Sequence, residues 1–129
     1  SEYIDGVTVL NSDMQPEDTF NSGSDIYVSV QMKRDEAIKN IGVAIFRTDG
    51  TYCYGTNTLI DKFTLKNDRP IILKVRKPNL ARGSYYLKVN AFGSTDKYPI
   101  EFLEEAAVFT VMDSSRRQGI QLLDSEWVQ

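Results

Sequence analysis

Residues 41–58 read "IGVAIFRTDGTYCYGTNT". Two alternating runs meet at Asp49-Gly50. A two-residue Asp-Gly loop favours a type I′ hairpin, because both central residues then take positive φ. Placing Asp49 and Gly50 in the loop fixes a register. Arg47 faces Tyr52, Phe46 faces Cys53, Ile45 faces Tyr54, Val43 faces Thr56 and Gly42 faces Asn57. Val43, Ile45, Tyr54 and Thr56 then share one face of the ribbon. Ala44, Phe46, Cys53, Gly55 and Asn57 share the other. Both faces carry apolar groups, and a core accounts for only one of them. The second face is covered by a partner or used to bind something.

The same period of two recurs on either side. It is present in "VTVL" (7–10), "DIYVSVQM" (25–32), "PIILKV" (70–75), "GSYYLKVNAF" (83–92) and "AAVFTVM" (106–112). Alternation of this kind marks half-buried strands. It predicts a core containing Val28, Val30, Leu73, Leu87, Val89, Phe109 and Val111. "GIQLLDSEWV" (119–128) is a candidate eighth strand. Helix is scarce: 35–41 suits a turn, and 99–107 has helical propensity in part. Short strands separated by turn residues predict an all-β protein, an antiparallel β-sandwich.

The chain has 129 residues, 41% of them apolar, which suits one globular domain over 1–129. The net charge is −3, and the one basic cluster is Arg116-Arg117. Nucleic-acid binding needs a concentrated positive field, so no nucleic-acid partner is expected. There is no histidine. This removes Ser-His-Asp and Cys-His catalysis and histidine-based zinc sites from the chain. No phosphate-cradling glycine loop is present. Only an oxygen-ligand metal site remains chemically open, and neither metal nor cofactor is expected. The single cysteine, Cys53, cannot form an intrachain disulfide and fits a reducing compartment. No apolar run approaches the roughly 20 residues that span a bilayer. No signal peptide is visible at Ser1.

Four segments in order, "NIGVAIFRTDGTYCYGTNT" (40–58), "LARGSYYLKVNAF" (80–92), "AAVFTVMD" (106–113) and "GIQLLDSEW" (119–127), resemble the C-terminal domain of the Wzt family. Members of that family are nucleotide-binding subunits of ABC transporters that export O-antigen polysaccharide. The resemblance implies an immunoglobulin-like or jelly-roll sandwich without catalytic activity. It implies recognition of the capped, non-reducing end of a lipid-linked glycan. It also implies a homodimer with exchanged C-terminal strands. The transporter membrane subunit would be a partner through an ATPase domain that this chain lacks. The expected location is cytoplasmic, at the inner face of the membrane. Residues that read the cap differ between members, so none is carried over.

On this reading the glycan-binding candidates are Tyr86, Lys88 and Asn90, which point away from the predicted core face of 83–92. Phe46 and Asn57 on the adjoining hairpin join them. Structural roles compete at several places. Gly55 and Asn57 read as a turn or bulge, Tyr85 as core, and Cys53 as a small buried hydrophobe. Glu104-Glu105 resembles a carboxylate pair for glycoside hydrolysis, but neighbours on a strand point to opposite faces. "DSSRRQG" (113–119) reads as a hinge. Beyond it, 118–129 is the segment expected to exchange, with Ile120, Leu122 and Trp127 as dimer contacts. The competing function is a structural or dimerisation sandwich without a ligand.

Overall fold

The computed structural model describes residues 2–33, 37–94 and 97–129. Eight strands form two sheets: β1 (Ile4–Leu10), β2 (Thr19–Asn21), β3 (Ile26–Met32), β4 (Asn40–Arg47), β5 (Tyr52–Asn57), β6 (Ile71–Val75), β7 (Gly83–Phe92) and β8 (Pro99–Met112). The described residues contain no helix. One sheet has the order β1-β3-β6, the other β2-β8-β7-β4-β5. Every pairing is antiparallel except that of β2 with β8. The expected β-sandwich is therefore present, with one parallel pair in the larger sheet.

Alternation decides which side chains enter the core. Ile26, Val28, Val30 and Met32 of β3 are buried, and Tyr85, Leu87, Val89 and Ala91 of β7 meet them from the other sheet. Phe109 and Val111 of β8 and Ile41, Val43 and Ile45 of β4 complete the larger sheet's inner face. Of the predicted core, only Leu73 is half-buried, because β6 is an edge strand. Phe109 stacks on Tyr85 at 5.4 Å and meets Phe20 edge-on at 6.1 Å. Such pairs add about 0.5–1.5 kcal/mol beyond the area they bury.

Two expectations change. Residues 99–107 are strand, not partial helix: pairing with β7 overrides local propensity. The turn expected over 35–41 begins outside the described residues, and the chain is strand from Asn40.

The sandwich has one tied side and one open side. On the tied side, Glu101 Oε1 of β8 accepts from the Tyr3 and Ile4 amides at 2.7 and 3.1 Å. On the open side, between edge strands β5 and β6, lies a cavity of about 160 Å³ lined by residues including Val28, Val43, Thr56, Phe63, Ile71 and Leu73.

Candidate functional site

The β4–β5 hairpin turns differently from its sequence reading. Gly50 N donates to Arg47 O at 2.9 Å, and Arg47 N donates to Thr51 O at 2.9 Å. Thr48, Asp49 and Gly50 thus form a three-residue loop. Only Gly50 takes positive φ, at 92°. Asp49 does not take positive φ, and its Oδ1 accepts from Thr51 N at 3.0 Å, a side-chain bond that closes the loop. The Thr51 amide also holds the Asp49 carboxyl below the ordinary aspartate range.

The longer loop has a consequence for the sheet face. Gly42, Val43, Ala44 and Ile45 keep the expected partners Asn57, Thr56, Gly55 and Tyr54. A bulge then follows, and Tyr52 instead of Cys53 lies opposite Phe46. Cys53 is exposed, so it is not the buried hydrophobe expected. Desolvation nevertheless holds its thiol above the usual range, the reverse of an activated nucleophile.

The outward face of the larger sheet carries an aromatic row. Tyr52 stacks on Phe46 at 4.9 Å with planes 11° apart, and Phe46 stacks on Tyr86 at 5.5 Å and 18°. Cross-strand pairing of β5, β4 and β7 builds this row. Next to it, Lys88 pairs across the sheet with Ala44, and Asn90 with Gly42, which in turn faces Asn57. All five candidates, Phe46, Asn57, Tyr86, Lys88 and Asn90, therefore lie on one face.

Their bonding differs. Lys88 Nζ sits 4.5 Å from the Phe46 ring centroid and 5.9 Å from that of Phe102. The ion pairs of the described residues do not include it. Asn90 Oδ1 is buried and has no hydrogen-bond partner. An orphaned acceptor of this kind costs about 1–3 kcal/mol. Asn57 Oδ1 accepts from Ile60 N at 2.7 Å, so that atom is used in the fold.

The polar run at the end of β5 has a structural task throughout. Thr56 Oγ1 donates to Asp61 Oδ2 at 2.7 Å. Buried Thr58 accepts from Ile41 N and donates to Asn40 Oδ1, both at 3.1 Å. The Thr58 bonds pin the chain after β5 to the start of β4, and those of Thr56 and Asn57 close the turn that follows β5.

Sequence reasoning weighed Tyr52 as a sugar-stacking ring but misplaced it, and it missed Phe102. Tyr52 was assigned to the wrong partner because the bulge has no residue signature of its own. Phe102, which pairs with Asn90, lies in the stretch read as partly helical. The cavity on the open side of the sandwich touches only Asn57 among the candidates.

The C-terminal segment does not form an eighth strand. Its one ladder contact is a bridge from Gln121 to Leu80. Ile120 and Leu123 are exposed, Leu122 is half-buried, and Trp127 is 102% exposed. Trp127 therefore touches nothing in its own domain.

Among the described residues, no three potential metal ligands of the His, Cys, Asp or Glu type cluster together. No helix there is long and apolar enough to cross a membrane.

Comparison with solved structures gives a match to the C-terminal domain of Wzt. It has a TM-score of 0.69 and 20% identity, and it covers 98% of this chain and 82% of that one. A CARDB domain from Pyrococcus furiosus, solved in complex with di-metal ions, matches with a TM-score of 0.51 and 14% identity, over 87% of this chain and 90% of that one. At these identities both comparisons concern the fold. No curated protein matches the sequence. The family model described as "Wzt C-terminal domain" matches residues 3–122. With that match over nearly the whole described sandwich, the chain belongs to the Wzt C-terminal domain family.

Proposed function

We propose that this domain is a non-catalytic glycan-binding module that recognises the capped non-reducing end of a lipid-linked, O-antigen-type polysaccharide for export by an ABC transporter. The observation that carries the reading is the aromatic row Tyr52–Phe46–Tyr86 beside Lys88 and Asn90, on a sheet face that the core does not use. Aromatic rings pack against the apolar C–H face of a pyranose, and neighbouring amide and amine groups meet its hydroxyls. Family membership supports the transporter context. In that context the domain acts in the cytoplasm, at the inner membrane face, joined to the membrane subunit through an ATPase domain.

The test is calorimetric titration with capped and uncapped forms of one polysaccharide. Binding in the micromolar to millimolar range is expected for the capped form, about −8 to −4 kcal/mol. Equal binding of both forms, or binding of neither, overturns the reading. Turnover of either form would replace it with a carbohydrate-active enzyme.

A second element rests on the exposed tail. Ile120, Leu122 and Trp127 form an apolar set attached to its own domain through little more than the Gln121 bridge. This supports a homodimer in which residues 118–129 exchange, since swapping an identical element is a low-cost route to a dimer. A sandwich that only dimerises, without a ligand, is the reading left if glycan binding fails.

A further inference from the structure

We propose that the open side of the sandwich is a site for a single-chain anionic amphiphile. Its alkyl end enters the cavity between the sheets, and its head, a carboxylate or a phosphate, sits on Lys66. The site is separate from the aromatic row and does not rest on the glycan reading.

The cavity of about 160 Å³ is cut into the core. Val28 and Val30 line it from one sheet, Ile41 and Val43 from the other, and none of the four is more than 7% exposed. The edge strands β5 and β6 at its mouth belong to different sheets and share no ladder. Packed cores leave few voids larger than a water molecule. Apolar cavities of about 150 Å³ take up small apolar guests such as benzene. By that measure this cavity has room for about six carbons of one alkyl chain. The polar atoms at its rim are engaged in the fold: Thr58 bonds Ile41 and Asn40, and Asn57 Oδ1 bonds Ile60. An apolar guest therefore leaves those bonds intact.

A second hollow, of about 330 Å³, adjoins the first, and Phe63, Ile71 and Ile72 line both. Phe63 and Ile72 are 57% and 43% exposed at this shared edge. Lys66 and Arg69 line the second hollow. Apolar walls, exposed apolar side chains and then cations follow one another outward, which is the order of tail and head in an anionic amphiphile. The loop that carries them is fixed. Phe63 N donates to Thr58 O at 2.8 Å, with Lys62 at a φ of 54°, and this closes the turn after β5. Asn67 Nδ2 donates to Ile38 O at 3.1 Å, and Leu65 packs against the core. Two carboxylates stand nearby. Asp61 on the cavity rim accepts from Thr56 Oγ1, and Asp68 pairs with Arg69 at 3.0 Å. Arg69 is thus partly neutralised. The ion pairs of the described residues do not include Lys66, which is the cation left for the head.

The experiment is titration of the full chain with octanoate, octyl phosphate, 1-octanol and acetate, read by calorimetry and by nuclear Overhauser contacts from each probe's methyl group. The octyl probes should contact the Val28 and Val43 methyls, and acetate should not. At least one acidic octyl probe should bind about three- to fivefold more tightly than 1-octanol, the range of an exposed ion pair. Whichever is tighter names the head. Added salt should erase the difference. Lys66→Gln should remove it and leave 1-octanol affinity unchanged, while Lys66→Arg should keep it. Leu73→Phe, which enlarges a half-buried lining residue, should weaken every octyl probe about tenfold. Should that variant not fold, the contacts in the parent chain decide the question. Absence of contacts to Val28 and Val43 with every octyl probe overturns the site. Equal affinity for acidic and neutral octyl probes, or a difference that survives in Lys66→Gln, overturns the head on Lys66. Contacts to the same methyls from the Trp127 ring would assign the cavity to a second copy of the chain and overturn the amphiphile.

Discussion

The phenol of Tyr52 lies over Gly55, in the space where a β-carbon would stand. The two residues are on one strand, and the bulge before Phe46 is what turns Tyr52 to the side of the sheet that Gly55 leaves open. Gly55 does not have the positive φ of Gly50, so its small size matters here and not its backbone freedom. The aromatic row depends on this contact, because Tyr52 reaches Phe46 only while lying along the strand.

Gly55→Ala is therefore expected to displace Tyr52 with little change in stability. Losing a stacked pair costs about 0.5–1.5 kcal/mol. Replacing a strand glycine by alanine returns about 0.4–1 kcal/mol through the unfolded chain. Glycan affinity should fall several-fold while the urea midpoint moves little. A variant that keeps full affinity would separate the row from the binding site.

Asn57 separates a structural from a binding role within one side chain. Its Oδ1 holds the Ile60 amide, while its NH2 is the part of the side chain that the glycan-binding proposal uses. Asn57→Ala should cost about 0.5–2 kcal/mol, as loss of a comparable capping acceptor does. Asn57→Asp keeps the acceptor and removes the donor. It should melt near the parent and bind glycan less well. Parent-like binding in Asn57→Asp would assign Asn57 to the fold alone.

Tyr85 is fully buried, donates its hydroxyl proton to Ala81 O and accepts from Arg47 Nη1 at 3.2 Å. Tyr85→Phe leaves the buried Ala81 carbonyl without that donor, a cost of about 1–3 kcal/mol by urea unfolding. Burial holds the phenol pKa above its usual value, and the opposing pull of Arg47 is smaller. A raised folded value gives stability that is complete below the unfolded value of about 10 and is lost as pH rises through the folded one. Stability of the parent should fall more steeply above that pH than stability of Tyr85→Phe. Parallel pH profiles would contradict the sign.

The fold was legible because β3, β7 and β4 alternate cleanly, and burial follows that period at Val28, Val30, Leu87 and Val89. Membership of the outward face was legible for the same reason. Reading β7 assigns Tyr86, Lys88 and Asn90 to one side whatever the neighbours are. Features set by tertiary hydrogen bonds were not legible. The Asp49 side-chain bond closes the loop, and the loop moved Tyr52. Pairing with β7 converted a stretch of mixed propensity into β8 and brought Phe102 to Lys88. The tail was misread as an eighth strand because its apolar content resembles one, while no edge in its own domain takes it beyond Gln121.

That tail gives the last prediction. Ile120, Leu123, Trp127 and Val128 stand in water in the single chain, with Trp127 and Val128 102% and 84% exposed. Burying one large apolar side chain is worth about 1.5–3 kcal/mol, so an exposed set of this size favours association. Docking onto a second copy is expected to bury Trp127, the only tryptophan in the sequence. Its fluorescence reports the event without labelling. At high micromolar concentration the full chain should scatter as a dimer with blue-shifted emission, and dilution should shift the emission to the red as monomer appears. Removing residues 118–129 should give a monomer whose sandwich still unfolds cooperatively, because the tail adds no core residue. Trp127→Ala should weaken the dimer at least tenfold, which corresponds to about 1.4 kcal/mol. A deletion variant that remains dimeric would move the interface to another surface. A full chain that is monomeric with red emission at every concentration would remove the dimer itself.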